Sequence, residues 1–476
     1  MFVLISKIYF IIVSCVLLFL VVRAIYNRFN KNQNKIDMED TPKRKFEQSI
    51  MFKGIAIAVL ILILLIPGAM IQNLIEERQE RSLQTVRIIY DKWSQSQTLC
   101  APILVVPYTT RKLDSAQRPY LEAGTLYVTP VELKINAALT PVERYYGIYK
   151  AILYKSDIRF EGYFSELENL KIDNSTLHFD KAQIAIGITD LRGITQNPDF
   201  KVNNIALETT VGEVNLGAYS HNAYISGKSL VANLKEIDLS ENLRFNCTMQ
   251  LNGSGAINFI PVGQNTAVTV TGQWQSPSFT GIFSPESTID KEQFTASWNI
   301  LSFNREIPDK WSNHNAVNLI DNSFGVNLIE TVDHYQQNMR TAKYALMFIA
   351  LTLVVFFFAE IFTKKTIHVF QYVLVGIALI LFYSLLLSFS EQIGFSWAYF
   401  VASVATISMI TAYFHSLIKQ IPATITLAGI MFILYTFMYI ILQVQDFALL
   451  FGSIFLFVIL GVIMFVSNKI KILMIE

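Results

Sequence analysis

The chain has 476 residues, 52% of them hydrophobic, and its mean hydropathy of +0.39 is too high for an ordinary soluble protein. Its formal net charge of +1 gives no indication of a nucleic-acid partner. Cys15, Cys100 and Cys247 are too few for a disulfide framework or a thiolate metal site. Composition therefore favours a membrane protein without a cysteine-based cofactor.

Seven hydrophobic runs are each long enough to cross, as a helix, a hydrocarbon layer about 30 Å thick. They are Phe2–Val22, Ile55–Ile71, Tyr344–Phe362, Val369–Leu387, Phe395–Phe414, Ile421–Leu442 and Ala448–Val466. Most of them have no charge in the middle, which separates a membrane span from a buried core helix. The first run stays open to three interpretations: a true span, an uncleaved signal-like segment, or a start codon chosen too early. Met38 is the alternative start.

Lys and Arg in the short loops predict the orientation of the spans. Basic loops alternate with loops around Glu391 and Asp446 that have no Lys or Arg; the basic positions are Lys364, Lys365, Lys419, Lys469 and Lys471. The basic side is the cytoplasmic side, so the C-terminus is expected in the cytoplasm. The segment Arg23–Lys53 is also rich in Lys and Arg, and we therefore expect residues 72–339 to lie outside the cytoplasm.

Between the spans the hydrophobic period changes from helical to two. The clearest alternating segments are Val131–Ala137, Leu243–Leu251, Val268–Trp274 and Phe294–Ile300, in which polar residues such as Asn136, Thr248, Gln250, Thr269 and Thr271 occupy every second position. Strict alternation predicts strands with one face on a core and one face in water. We expect about a dozen short strands in antiparallel, sandwich-like sheets. Glu76–Trp93 is predicted to extend the second span outward as a helix, and turns are predicted at Gly253–Gly255, Gly263–Asn265 and Ser276–Ser278.

No residue pattern predicts catalysis, a cofactor or a metal. The six histidines are scattered, and no nucleophile–base pair or metal-ligand spacing is visible. Cys247 lies on the apolar face of a predicted strand, so a buried free thiol is favoured over a Cys100–Cys247 disulfide. We expect no enzymatic activity.

Polar and ionisable residues within the membrane spans are a second kind of candidate functional site. Glu360, Gln371 and Glu391 are the candidates, and Glu360 is the deepest of them. Lys364 stands four residues after Glu360, in the order that favours an ion pair on one helix. A structural ion pair is favoured over a proton site.

Several short segments resemble one known family. In the C-terminal part they are Asp333-His334-Tyr335-Gln336, Arg340-Thr341-Ala342-Lys343-Tyr344-Ala345, Phe356-Phe357-Phe358, Gln371-Tyr372, Leu381-Phe382-Tyr383 and Ser390-Glu391. In the polar block they are Asp190-Leu191-Arg192-Gly193-Ile194, Gly253-Ser254-Gly255, Pro261-Val262-Gly263 and Ser276-Pro277-Ser278-Phe279. Together they closely resemble the CreD family of bacterial inner-membrane proteins, over roughly residues 45–466.

The resemblance implies a plan of one helix, a large periplasmic domain and a five-helix bundle, with a role in cell-envelope integrity or the envelope-stress response. The fold class expected is an α+β membrane protein with six to seven spans. The predicted division is an extra N-terminal segment 1–22, a cytoplasmic basic linker 23–54, a transmembrane helix 55–71, a periplasmic β-rich domain 72–339, a five-helix bundle 340–468 and a cytoplasmic tail 469–476. The family supplies no catalytic residues, and the run Phe2–Val22 is additional to its pattern.

Two functions follow as hypotheses. In the first, the β domain binds an envelope glycan, lipid or periplasmic protein, and the bundle anchors it among membrane lipids; the oligomeric state stays open. In the second, the bundle transports or handles lipids along a path lined by Glu360, Gln371 and Glu391. Asp333, Arg340, Lys343 and Tyr344 are candidates for coupling the domain to the bundle, and interfacial anchoring is the simpler interpretation of these four residues.

Overall fold

A computed structural model of the chain describes residues 43–114, 117–214, 228–235, 241–313, 317–328, 334–363, 365–443 and 448–475. These residues form two compact units. The sheet unit spans Ser82–Thr331, and the helical unit consists of the described residues on either side of that range. The run Phe2–Val22 and Met38 lie outside the described residues.

The helices follow the predicted hydrophobic runs closely. They are α1 (Lys43–Trp93), α2 (His334–Lys343), α3 (Ala345–Thr363), α4 (Val369–Ile393), α5 (Phe395–Ile418), α6 (Ile421–Gln443) and α7 (Ala448–Ile475). In the described part of the chain, five helices are long and apolar enough to cross a membrane: residues Lys53–Trp93 of α1, and all of α3, α4, α5 and α6. The described apolar stretch of α7, Leu450–Phe465, is shorter. The count of six to seven spans therefore stays a prediction.

The helical unit is built around one large apolar core, beside a smaller cluster of Ile75, Tyr335, Ala342 and Leu387. Ile57, Leu60 and Leu64 of α1 recur at helical spacing and pack with buried residues of α3, α4, α5 and α6. Leu64 lies over Gly376 of α4, where an added Cβ would come within 2.5 Å of a Leu64 methyl carbon. The absence of a side chain at Gly376 therefore lets α1 approach α4 closely.

The sheet unit begins with the last turns of α1, which runs on to Trp93 as the sequence predicts. Its strands are β1 (Gln97–Leu113), β2 (Pro119–Val128), β3 (Glu132–Tyr146), β4 (Tyr149–Phe164), β5 (Ser175–Leu177), β6 (Gln183–Ile188), β7 (Asp199–Val202), β8 (Ile205–Leu207), β9 (Thr209–Gly212), β10 (Ser229–Asn233), β11 (Leu243–Ser254), β12 (Ala256–Ile260), β13 (Asn265–Gly272), β14 (Ser278–Gly281), β15 (Glu286–Ile289), β16 (Phe294–Leu301), β17 (Lys310–Ser312) and β18 (Phe324–Asn327). The four alternating segments overlap β3, β11, β13 and β16 over most of their length, so the prediction of strands is confirmed there.

The described strands form two sheets. The ten-stranded sheet has the order β14-β18-β12-β1-β6-β10-β9, with β2 and β5 also paired to β1 and β17 paired to β2. The eight-stranded sheet has the order β15-β16-β13-β3-β4-β11-β7-β8. Residues of both sheets, among them Ile103, Ile184, Phe160 and Val270, belong to one hydrophobic core.

The prediction of antiparallel sheets holds for most of the described strand pairs, but the sheets are mixed. β1 pairs with β12, and β3 pairs with β13, in parallel. The expectation of about a dozen short strands is too low and too uniform: the described residues form 18 strands, and β1, β3 and β4 have 17, 15 and 16 residues. Alternation shows which face of a strand is buried, but it contains no information about the direction of the neighbouring strand.

Candidate functional site

The solvent-facing side of the eight-stranded sheet contains a polar groove. Its volume is about 450 Å³. The residues that line it are Asn136, Ala137, Ala138, Asp157, Ile158, Arg159, Gln196, Asn197, Asp199, Thr248, Met249, Gln250, Thr269 and Thr271. They come from β3, β4, β7, β11 and β13 and from the segment that precedes β7.

Strand register arranges the groove residues in two rows across the sheet. The first row is Thr269, Asn136, Arg159, Thr248 and Asp199. The second row is Thr271, Ala138, Asp157 and Gln250. These residues share one face because they stand two apart along their strands, and side chains of a strand alternate between faces. The intervening residues Ile158 and Met249 are buried in the core.

Ala138 gives the groove its depth. It stands between Thr271 and Asp157 in the second row, and its methyl group leaves a gap between longer side chains. Gln196 and Asn197 flank the rows from the segment before β7, which is held to β11 by the Thr195 amide donating to the Gln250 carbonyl at 3.2 Å. A small residue in the floor and a fixed wall at one end therefore form the groove.

The charges in and around the groove are largely balanced. Arg159 forms an ion pair with Glu161 at 2.6 Å, and Lys201 forms one with Asp199 at 2.6 Å. Asp157 has no hydrogen bond or ion pair to any residue that the structure describes, and its side chain is exposed. The groove thus presents amides, hydroxyls and a carboxylate to solvent without a strong net charge.

A second polar cluster surrounds the end of α1 within the sheet unit. Asp190 is nearly buried, and its carboxylate accepts hydrogen bonds from the Gln95 amide at 3.2 Å and from the Arg192 guanidinium at 2.8 and 2.9 Å. Burial alone raises the pKa of Asp190, but the Arg192 guanidinium and the amides of Gln95 and Arg192 outweigh it, so the pKa lies below its ordinary value.

The same cluster brings together two of the segments that carry the family resemblance. The Gln97 amide group donates to the carbonyl oxygens of Asp190 and Asn252, at 3.0 and 3.1 Å. The Ser254 hydroxyl donates to the Ser94 carbonyl at 2.6 Å. The segments around Asp190 and Ser254 therefore fix the point at which α1 passes into β1.

The candidate intramembrane residues lie in separate places. Glu360 is buried, and it accepts hydrogen bonds from the Tyr372 hydroxyl at 2.7 Å and the Ile367 amide at 3.1 Å and pairs with Lys53 of α1. Lys364, the partner expected from spacing, lies outside the described residues. Gln371 accepts from the His368 amide at 3.0 Å and so caps the start of α4.

Glu391 lies at the opposite end of α4 from Gln371. It accepts a hydrogen bond from the Tyr335 hydroxyl at 3.1 Å. The structure therefore does not bring Glu360, Gln371 and Glu391 together: Gln371 and Glu391 are separated by about 30 Å along one helix.

Of the four candidate coupling residues, Asp333 lies outside the described residues. Arg340 and Tyr344 are half-buried, and Lys343 is exposed. The buried face of α2 is formed by other side chains, of which Asn338 donates to the Ser390 hydroxyl at 2.7 Å. Neither Tyr335 nor Asn338 was selected from the sequence. The available signal was their spacing of three residues, which places both on one face of a helix.

The groove residues also were not selected from the sequence. Asn136, Thr248, Gln250, Thr269 and Thr271 stand at the water-facing positions of the predicted strands, which the structure confirms. Which of those positions align across neighbouring strands depends on register, and register is set by pairing between distant segments.

The chain is similar to known proteins over most of its length. A model of the family "Inner membrane protein CreD" matches residues 49–472. The inner membrane protein CreD of Escherichia coli (strain K12) is 30% identical over 418 residues, which cover 86% of this chain and 91% of that protein. Among solved structures, the M1 zinc metallopeptidase from Deinococcus radiodurans matches with 10% identity and a TM-score of 0.20, over 42% of each chain. A TM-score of 0.20 does not indicate a shared fold.

Proposed function

Since this chain belongs to the family of the inner membrane protein CreD, we propose that it is a non-enzymatic protein of cell-envelope integrity whose sheet unit binds an envelope component in the polar groove. Family membership and the apolar helices make it a multi-pass inner-membrane protein. We further propose that the sheet unit binds a ligand and that it lies outside the cytoplasm.

The loop charges support a periplasmic sheet unit and a cytoplasmic C-terminus. Lys365 lies just before α4 and Lys419 just after α5, whereas Glu391 lies at the other end of α4. Basic residues collect on the cytoplasmic side of inner-membrane proteins. Reporter fusions at Thr210 and at the C-terminus test this: an active periplasmic reporter at the C-terminus would contradict the orientation.

The groove is the observation that carries the binding function. The solvent-facing side of this sheet has a depression of about 450 Å³ in which polar groups from five strands converge. Concave sites with converging polar groups are the usual places for ligand recognition.

A blocking substitution tests the groove without disturbing the core. In Ala138→Trp the indole fills the groove, and because Ala138 is exposed the core packing is unchanged. We expect this variant to reach wild-type abundance in the membrane and to fail to restore envelope-stress resistance in cells that lack the wild-type protein. The matched control is Asn299→Trp, an exposed position of β16 on the same face but outside the groove. Full activity of Ala138→Trp would refute a role for the groove.

Transport through the helical unit has no comparable support. Glu360 is engaged by Lys53, Tyr372 and the Ile367 amide, and Gln371 caps its own helix. These contacts stabilise the packing of the helices and form no continuous polar path to Glu391.

A further inference from the structure

We propose that the ligand of the groove is an uncharged oligosaccharide. This inference rests on the binding function proposed above and names the class of envelope component that the groove accepts. It follows from the chemistry of the lining side chains, from what that lining lacks, and from the spacing of the two rows.

The lining matches the hydrogen-bonding character of sugar hydroxyls. Asn136 and Gln250 carry amides that donate and accept, and Thr248, Thr269 and Thr271 carry hydroxyls that do both. A sugar hydroxyl also donates and accepts. Asp157 adds an acceptor that has no partner among the described residues, so the groove can satisfy several hydroxyls at once.

The lining disfavours a lipid. Ile158 and Met249 border the groove, but their side chains point to the core and are only 2% and 4% exposed. An acyl chain in the groove would therefore gain no buried apolar area, which is the main source of its binding energy.

The same lining disfavours an anionic polymer and a protein partner. Arg159 and Lys201 are paired with Glu161 and Asp199, so no unbalanced cation faces the groove from these positions. Protein interfaces are centred on aromatic and large apolar anchors, and the groove residues include no aromatic side chain.

The spacing of the rows suits an elongated ligand. Five neighbouring strands, from β13 to β7, contribute to the first row, and at about 4.8 Å per strand the row is about 19 Å long. The second row runs beside it at about 6.7 Å, two residues further along the strands. A ligand lying across the strands meets a polar group at each strand, and the gap at Ala138 admits the thickness of a ring.

The test uses the full chain in lipid nanodiscs and three uncharged probes: chitotetraose, cellotetraose and maltotetraose. Saturation-transfer-difference NMR reports binding, and titration calorimetry gives the affinity. We expect at least one probe to bind, the double variant Asn136→Ala/Gln250→Ala to weaken it about tenfold or more, and Ala138→Trp to abolish it. Asn299→Trp should bind as the wild type does, and circular dichroism verifies that each variant is folded.

The outcomes separate the ligand class from the function. If none of the three oligosaccharides binds, or if Ala138→Trp binds as well as the wild type, the oligosaccharide assignment is overturned. If in addition Ala138→Trp is fully active in cells, the proposed binding function fails too. If Ala138→Trp is inactive in cells while no probe binds, the groove functions with a ligand of another class.

Discussion

The buried pair of Lys53 and Glu360 should behave as an energetic link between α1 and the C-terminal helices. The two residues are 307 positions apart in sequence, and their side chains are only 16% and 10% exposed. Glu360 also accepts hydrogen bonds from the Tyr372 hydroxyl and the Ile367 amide, so both of its carboxylate oxygens have a hydrogen-bond donor. The perturbation is Lys53→Met, which keeps the length of the side chain and removes its charge.

The magnitude follows from what each substitution leaves behind. Lys53→Met leaves a buried carboxylate without its cation, for which about 2–4 kcal/mol of destabilisation is expected. Glu360→Gln can keep its hydrogen bonds, because the Tyr372 hydroxyl can accept from the amide; we expect a smaller loss of about 1–2 kcal/mol. In the double variant no charge is buried unpaired, so its loss should be smaller than the sum of the single losses by about 1–3 kcal/mol.

The assay is reversible unfolding of the purified protein in mixed micelles with increasing SDS, followed by circular dichroism of the helices. Lys92→Met, at an exposed lysine of the same helix, is the control for loss of a positive charge and should be close to neutral. The reasoning is refuted if Lys53→Met is as stable as Lys92→Met, or if the two single losses simply add in the double variant.

Two further predictions concern the sheet unit. Because the folded pKa of Asp190 lies below its unfolded value, the stability that this carboxylate contributes is present above about pH 4 and is lost as the pH falls through the folded pKa. Asp190→Asn should therefore destabilise the unit by about 1–2 kcal/mol at neutral pH, and the variant should lose less stability than the wild type on acidification. Denaturant titrations followed by tryptophan fluorescence measure both effects. A loss of stability on acidification as steep as that of the wild type would contradict this prediction. Burial raises the pKa of Cys100 and Cys247 to about 12, and both thiols are free. We expect neither to react with a maleimide in the folded chain at neutral pH and both to react after denaturation, with adducts counted by mass spectrometry; native labelling of either would show that its strand is not packed as described.

Much of the fold could be predicted because its signals are local. The predicted apolar runs specify helices, because an almost uncharged stretch of this length is stable only in the hydrocarbon layer or in a protein core. Alternation in β3, β11, β13 and β16 specifies strands, since it can bury one face only at period two. The turn at Gly255 was equally readable: its φ of +67° is a backbone conformation that glycine adopts without strain.

The candidate site was less predictable, although its residue types were in view. The polar positions of β3, β11 and β13 were correctly assigned to the water-facing side, but β4 was not among the alternating segments, and Asn136, Arg159 and Thr248 become neighbours only through the pairing of β3, β4 and β11. The expected partner of Glu360 was taken from its own helix. The partner observed among the described residues is Lys53 of α1, which is 307 positions away in the sequence.

The sequence by itself determined the apolar segments that form helices, the four alternating segments that form strands, and the side of those four strands that meets water. It could do so because each of these properties depends on the period and length of a short stretch of chain. Only the tertiary structure decided the parallel pairs β1–β12 and β3–β13, the meeting of Asp190 with the end of α1, and the rows that form the groove. Those features depend on contacts between residues far apart in the chain, where the free energy of packing and hydrogen bonding, rather than any local pattern, selects the partner.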